Sequence, residues 1–229
     1  MLVARRKERL NRLADELKAE GTHVVIETAD LSKKDECLRL MSALGDKRIG
    51  VFINNAGFGD CGRFADTSLD KDLDMIDVNI RAVHILTKLV LRKMRSQGGG
   101  YLLNVASSAG LIPAGPYMAT YYASKAYVAS MTRAVARELR EEGSQVYVGA
   151  LCPGPVNTEF NSVANVEFAL PGITPEYCAN YAVDQMKRRR TVIVPTFTLK
   201  AATTLGRFIP QSAYIAIAGH QQKKKLARR

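Results

Sequence analysis

Tyr121-Tyr-Ala-Ser-Lys125 sets a phenol and an ammonium four residues apart, which on a helix places them on one face and within reach of each other. A tyrosine titrates near about 10, and an adjacent positive charge favours the phenolate, so the chemistry expected of the pair is proton exchange with a carbonyl or alcohol oxygen. Surface helices also produce such pairs, and this one gains meaning from its surroundings. In chain order stand Asn54-Asn-Ala-Gly57, Val78-Asn79, Asn104-Val-Ala-Ser107, the Tyr121/Lys125 pair and Pro153-Gly-Pro-Val-Asn-Thr158. Other chemistries find less support. His23, His84 and His220 have no serine in a Gly-x-Ser-x-Gly turn, so a hydrolase triad is unsupported. Cys37, Cys61, Cys152 and Cys178 are scattered without a Cys-x-x-Cys pair, so no metal site is expected and they read as reduced thiols of a cytoplasmic protein.

The elements that must position these residues follow from apolar spacing. Leu10, Leu13 and Leu17 predict an amphipathic helix over 8–20 that stops at Gly21. Val24-Val25-Ile26 reads as a strand, a second helix ends near Gly45, and Val51-Phe52-Ile53 is the next strand. Residues 69–94 read as one helix with too many apolar positions for a single buried stripe, and 121–142 as another. Between them, Gly98-Gly-Gly turns the chain into a strand over 101–107, and 146–151 is a further strand. Proline and glycine then open a loop, 153–174, before Thr174-Pro175-Glu176 starts a helix. Residues 191–195 form the last strand, and 197–229 a helical, basic tail. Strands alternating with helices of this length predict an α/β fold with a doubly wound parallel sheet, in a single domain over 1–229.

The five ordered motifs resemble the short-chain dehydrogenase/reductase family, over residues 1 to about 195. The resemblance implies Tyr121 as general acid/base, Lys125 lowering its pKa and contacting the nicotinamide ribose, Ser107 orienting the substrate oxygen, and Asn79 holding a water of the proton relay. Family spacing to the tyrosine selects Ser108, whereas counting from the strand start selects Ser107, which is preferred because a loop absorbs an extra residue more easily than a strand. The resemblance also implies that Asp30 and Leu31 lie at the adenine edge, Asn55, Ala56 and Gly57 against the adenine-side ribose, and Pro153, Gly154, Val156 and Thr158 around the nicotinamide amide. Arg5 and Arg6 stand where NAD-specific relatives carry an acid; guanidinium suits a 2′-phosphate, so the implied cofactor is NADP(H). A homodimer or homotetramer through the helices at 69–94 and 121–142 is implied as well.

The sequence departs from the family pattern in one respect. No Thr-Gly-x-x-x-Gly-x-Gly turn occurs in the 229 residues, and with it the first β-α unit and the pyrophosphate cradle of such folds are missing. The simplest expectation is an N-terminal truncation, which would leave Leu2 to Arg6 unpaired with Val51 to Asn54. The rival reading is a noncatalytic fragment or scaffold of the same lineage that no longer binds cofactor.

Composition bounds what else the chain could do. With 47% hydrophobic and 24% charged residues it is an ordinary globular sequence. Its formal charge of +11 gathers at 5–9, 187–190 and 223–229 without the interleaved aromatics of a single-strand binder, so no nucleic-acid partner is expected. The apolar run 208–219 is too short to span a membrane, and packing within the domain or against a partner subunit is favoured over membrane-surface contact. Val163, Val166, Phe168 and Leu170 point to an apolar carbonyl or alcohol as the small-molecule substrate.

Overall fold

A computed structural model describes residues 1–160, 164 and 172–226. Strands β1 (Leu2–Ala4), β2 (Ile26–Thr28), β3 (Val51–Asn54), β4 (Gly100–Val105), β5 (Val146–Leu151) and β6 (Val192–Ile193) alternate with helices α1 (Lys7–Ala19), α2 (Lys34–Leu44), α3 (Leu69–Ile76), α4 (Val83–Ser96), α5 (Ala119–Glu141), α6 (Pro175–Lys187), α7 (Phe197–Leu205) and α8 (Gln211–Leu226). All ladders are parallel, in the Rossmann-like α/β arrangement that the alternation predicts. None of the described helices is long and apolar enough to cross a membrane.

The ladders form two groups. Among the described residues β1 pairs with β2, and β3-β4-β5-β6 form a separate sheet in which β1 and β3 are not neighbours, the separation expected of them. β4 and β5 are the best covered strands. Val90, Met94 and Leu139 of α4 and α5 pack on one face against Leu102 and Val148, and Cys178, Ala182 and Met186 of α6 pack on the other against Leu103, Tyr147, Leu151 and Ile193. β3 is different, because Val51 and Ile53 remain about half exposed beside the sheet break.

Pairing rather than composition sets several boundaries. β2 lies at Ile26–Thr28, not at 24–26, because Leu2 pairs with Ile26 and its N–H bonds to the carbonyl of Val25. The helix expected over 69–94 is three pieces, with a π-helical turn at Asp77–Ala82 between α3 and α4; such wide turns concentrate at functional sites. β4 ends at Val105 rather than at residue 107, because Ser107 caps a 3-10 turn by accepting from the N–H of Ala109. Strand β6 is confined to Val192–Ile193, and the tail breaks at Pro210 into α7 and α8. Most of the apolar loop positions read as substrate-facing, Val163, Val166, Phe168 and Leu170, lie outside the described residues. The four cysteines are buried.

Candidate active site

Helix α5 starts two residues before Tyr121 and sinks both members of the pair: Tyr121 is 8% exposed and Lys125 4%. Lys125 Nζ lies 5.9 Å from the centroid of the Tyr121 ring and donates to the carbonyl of Val105 at 2.9 Å, which ties α5 to the carboxyl end of β4. The 3-10 turn after β4 seats against the same stretch of helix. A Cβ on Gly110 would fall 2.3 Å from the carbonyl oxygen of Lys125, so this approach requires glycine.

The two serines are placed differently by that turn. The Ser107 hydroxyl acts to lower the Tyr121 pKa, accepts from the N–H of Ala109 at 3.1 Å and lies 3.5 Å from the carbonyl of Pro153. Ser108 contributes its backbone N–H to the same Pro153 carbonyl, at 2.8 Å.

Asn79 sits in the π-helical turn with no exposed surface. Its amide accepts from the N–H of Phe58 at 3.1 Å and donates to the carbonyl of Phe58 at 2.8 Å and to Ser124 Oγ at 3.0 Å. The side chain thus clamps the segment after β3 to α5. Gly57 lies inside that clamp, where a Cβ would come 2.9 Å from Asn79 Oδ1 and 3.1 Å from Lys125 Nζ.

Burial dominates the electrostatics. It pushes the Tyr121 phenol up to about 12, against a lowering by the Ser107 hydrogen bond, and pushes Lys125 down to about 8. Desolvation, rather than the lowering by Lys125 expected from the sequence, controls Tyr121 in the resting site, and the phenol keeps its proton at neutral pH.

A stability prediction follows from the depressed lysine. Between about pH 8 and pH 10 the folded chain has released the Lys125 proton while the unfolded chain, titrating near about 10.4, still holds it. The unfolded state then binds more protons, so this group's contribution to stability rises with pH across that window. The unfolding free energy of wild type minus that of Lys125→Met should increase from pH 7.5 to 9.5 in urea titrations; a flat difference would contradict the buried, depressed ammonium.

The remaining positions expected to face a cofactor spread along the carboxyl ends of the strands. Asn55, Ala56 and Gly57 form an exposed ledge after β3. Asp30 accepts from the backbone and hydroxyl of Ser32, at 3.2 and 2.8 Å. Burial raises its pKa, but the Ser32 bonds and the charges of Arg5 and Lys33 prevail and hold it below the usual carboxylate range. Leu31 packs beside Cys37, Leu40, Ala82 and Leu86. Pro153 and Gly154 follow β5, Val156 bridges to Ile173, and Thr158 is exposed with its hydroxyl accepting from the N–H of Phe160. Arg5 and Arg6 part company: Arg5 acts on Asp30, whereas Arg6 pairs with Glu159.

Sequence reasoning missed three features of this region. Arg81 donates to the carbonyl of Ser32 at 2.8 Å beside the Asp30 turn. Arg9 joins Arg6 on Glu159. Asn54, Thr87, Asn104 and Thr132 form a buried polar network under the site. Only the last left a sequence signal, since Asn54 and Asn104 are asparagines within apolar strands.

The set of donors fits the ribose end of a nicotinamide nucleotide. Lys125 is a buried ammonium with three N–H donors, of which the Val105 carbonyl takes one among the described residues, and Gly57 keeps the approach to it narrow. No residue of the sequence supplies the glycine-rich pyrophosphate turn.

The sequence model described as "short chain dehydrogenase" matches residues 1–167. The chain belongs to the short-chain dehydrogenase family. It is 32% identical over 188 residues to a very-long-chain 3-oxoacyl-CoA reductase of Anas platyrhynchos, covering 80% of this chain and 59% of that relative. The chain thus spans well under two thirds of the length of that relative. Its fold matches a short-chain dehydrogenase from Sphingobium yanoikuyae in complex with NADPH, with a TM-score of 0.80 and 30% identity over 92% of this chain and 86% of that one. A short-chain dehydrogenase/reductase from Burkholderia phymatum in complex with NAD matches with a TM-score of 0.81 and 25% identity, over 90% and 84%. Membership makes the chain part of an oxidoreductase lineage that uses nicotinamide cofactors on small molecules.

Proposed function

We propose that this short-chain dehydrogenase interconverts a carbonyl and an alcohol with NADP(H). The observation that carries the reading is the buried Tyr121 phenol, sharing a helix face with the buried Lys125, whose Nζ lies 5.9 Å from its ring centroid. Bound nicotinamide would supply or accept the hydride. The chain's own residues do the rest: Tyr121 passes the proton to or from the substrate oxygen, Ser107 orients that oxygen, Lys125 holds the ribose and supports the phenol electrostatically, and Asn79 fixes the segment after β3 against α5. A phenol that keeps its proton at neutral pH suits it to act as the acid in carbonyl reduction.

Arg5 and Arg6 support NADP(H) over NAD(H), since they stand directly after β1 and guanidiniums there favour a 2′-phosphate. The relatives bear on this unevenly: one solved neighbour holds NADPH and the other NAD. An apolar carbonyl compound as substrate accords with the reductase named for a very-long-chain 3-oxoacyl-CoA, and segment 153–174 would border it. Self-association is supported by Leu69 and Leu73 of α3, 70% and 50% exposed, next to the half-buried outer side of α4.

The test is thermal unfolding with and without nucleotide. NADPH at a hundred times its Kd should stabilise by about 2.7 kcal/mol, and the same concentration of NADH by clearly less. Equal protection by the two would remove the NADP assignment, and protection by neither would favour a noncatalytic member of the lineage.

A further inference from the structure

Arg6 and Arg9, three apart at the start of α1, turn their guanidiniums onto one carboxylate, Oε2 of Glu159. Glu159 comes from the far side of the sheet break. It lies about 150 positions along the chain, on the segment that follows β5 and carries Pro153, Gly154, Val156 and Thr158. The hydrogen bond from Arg9, then the charges of Arg9 and Arg6, hold its carboxyl below the usual carboxylate range, so it is an anion at neutral pH. Two convergent guanidiniums around a carboxylate are an anion clamp, and their fork geometry suits phosphate oxygens equally.

Resting on the NADP(H) reading above, we infer that Arg6 and Arg9, rather than Arg5 and Arg6, bind the 2′-phosphate, and that Glu159 sets cofactor affinity by occupying them until the phosphate displaces it. The charge of Arg5 acts on Asp30, whereas Arg6 and Arg9 both meet Glu159. All three members of the clamp are largely exposed, at 63%, 49% and 60%. Such a contact is weak and readily exchanged, biasing an equilibrium by no more than about fivefold. It is therefore a competitor a phosphate can displace. Its displacement also releases the segment after β5 from α1, so recognition at the adenine end would reach the segment proposed to border the nicotinamide. A nucleotide without the 2′-phosphate leaves Glu159 in place.

The probes are adenosine 2′,5′-bisphosphate and adenosine 5′-monophosphate, titrated calorimetrically into the full chain at low salt. Wild type should prefer the bisphosphate. Glu159→Gln should tighten the bisphosphate by about three- to fivefold and leave the monophosphate unchanged, because the removed carboxylate both blocks the clamp and repels its ligand. Arg9→Ala should weaken the bisphosphate by at least about fivefold. Glu142→Gln, which removes the same charge where Glu142 pairs with Arg95 at the end of α5, should change neither. If wild type bound both nucleotides equally, or neither, the NADP(H) reading itself would fail. If the preference stood but Glu159→Gln failed to tighten, Arg9→Ala failed to weaken, or Glu142→Gln matched Glu159→Gln, the clamp assignment would be overturned while that reading survived.

Discussion

Replacing Tyr121 with phenylalanine should lower turnover by at least about a hundredfold while leaving NADPH affinity within about twofold. The substitution removes one hydroxyl from a ring that is 8% exposed and packed among Met75, Met118 and Phe160, so the fold and the ring's position should survive. What disappears is the transferable proton, and positioned proton transfer contributes typically about 10²–10⁴ in rate. Single-turnover rates with saturating NADPH and an apolar ketone, alongside a nucleotide titration, separate the two quantities. Ser107→Ala should cost more than Ser108→Ala in the same assay, because the Ser107 hydroxyl acts on the phenol and lowers its pKa. Retention of more than a tenth of wild-type turnover by Tyr121→Phe would remove this tyrosine from the chemistry.

Asn104→Leu should destabilise the chain by about 3–5 kcal/mol, the largest effect expected of any single replacement outside the catalytic set. Asn104 has no exposed surface. Its Oδ1 accepts from Asn54 Nδ2 at 2.8 Å and from Thr87 Oγ1 at 3.1 Å, and its Nδ2 donates to Thr132 Oγ1 at 2.9 Å. Leucine keeps the branched shape but is bulkier and leaves polar groups on β3, α4 and α5 short of their partner, each at about 1–3 kcal/mol before relaxation. Since Asn104 precedes Val105, whose carbonyl receives Lys125, the lysine's position should suffer as well. Urea unfolding measures the loss, and the double variant Asn54→Leu/Asn104→Leu should cost less than the sum of the singles because the two share one bond. A loss below about 1 kcal/mol would show that the network is dispensable.

Local regularities were legible in the chain itself. Apolar periodicity and turn residues gave the alternation of strands and helices, and the spacing of Tyr121 and Lys125 predicted their common face because both lie on one helix, where geometry is fixed by the backbone repeat. Thr174-Pro175 marked the start of α6 correctly, since a cap is a local hydrogen bond, here from Tyr177 N–H to Thr174 Oγ1 at 3.2 Å. The order of the motifs sufficed to point to the family.

What lay beyond sequence reading was whatever depends on two distant segments meeting. How Ser107 and Ser108 sit relative to α5 depends on how the 3-10 turn seats on that helix, with Gly110 against the Lys125 carbonyl. The break of the 69–94 helix at Asn79 is accompanied by the grip of its amide on Phe58. The pKa of Tyr121 turned on burial rather than on its charged neighbour, because desolvation is a property of the surrounding packing and leaves no mark in a motif. The partners of Arg6 and Arg9 were equally invisible, since Glu159 reaches them only after the sheet has brought the end of β5 opposite the start of α1. The sequence by itself determined the elements, their order and the residue types brought near one another on one helix, all of which rest on interactions within a few residues; the tertiary structure alone decided the burial of Tyr121 and Lys125 and the pairing of Arg6 and Arg9 with Glu159, because those are fixed by contacts between residues far apart along the chain.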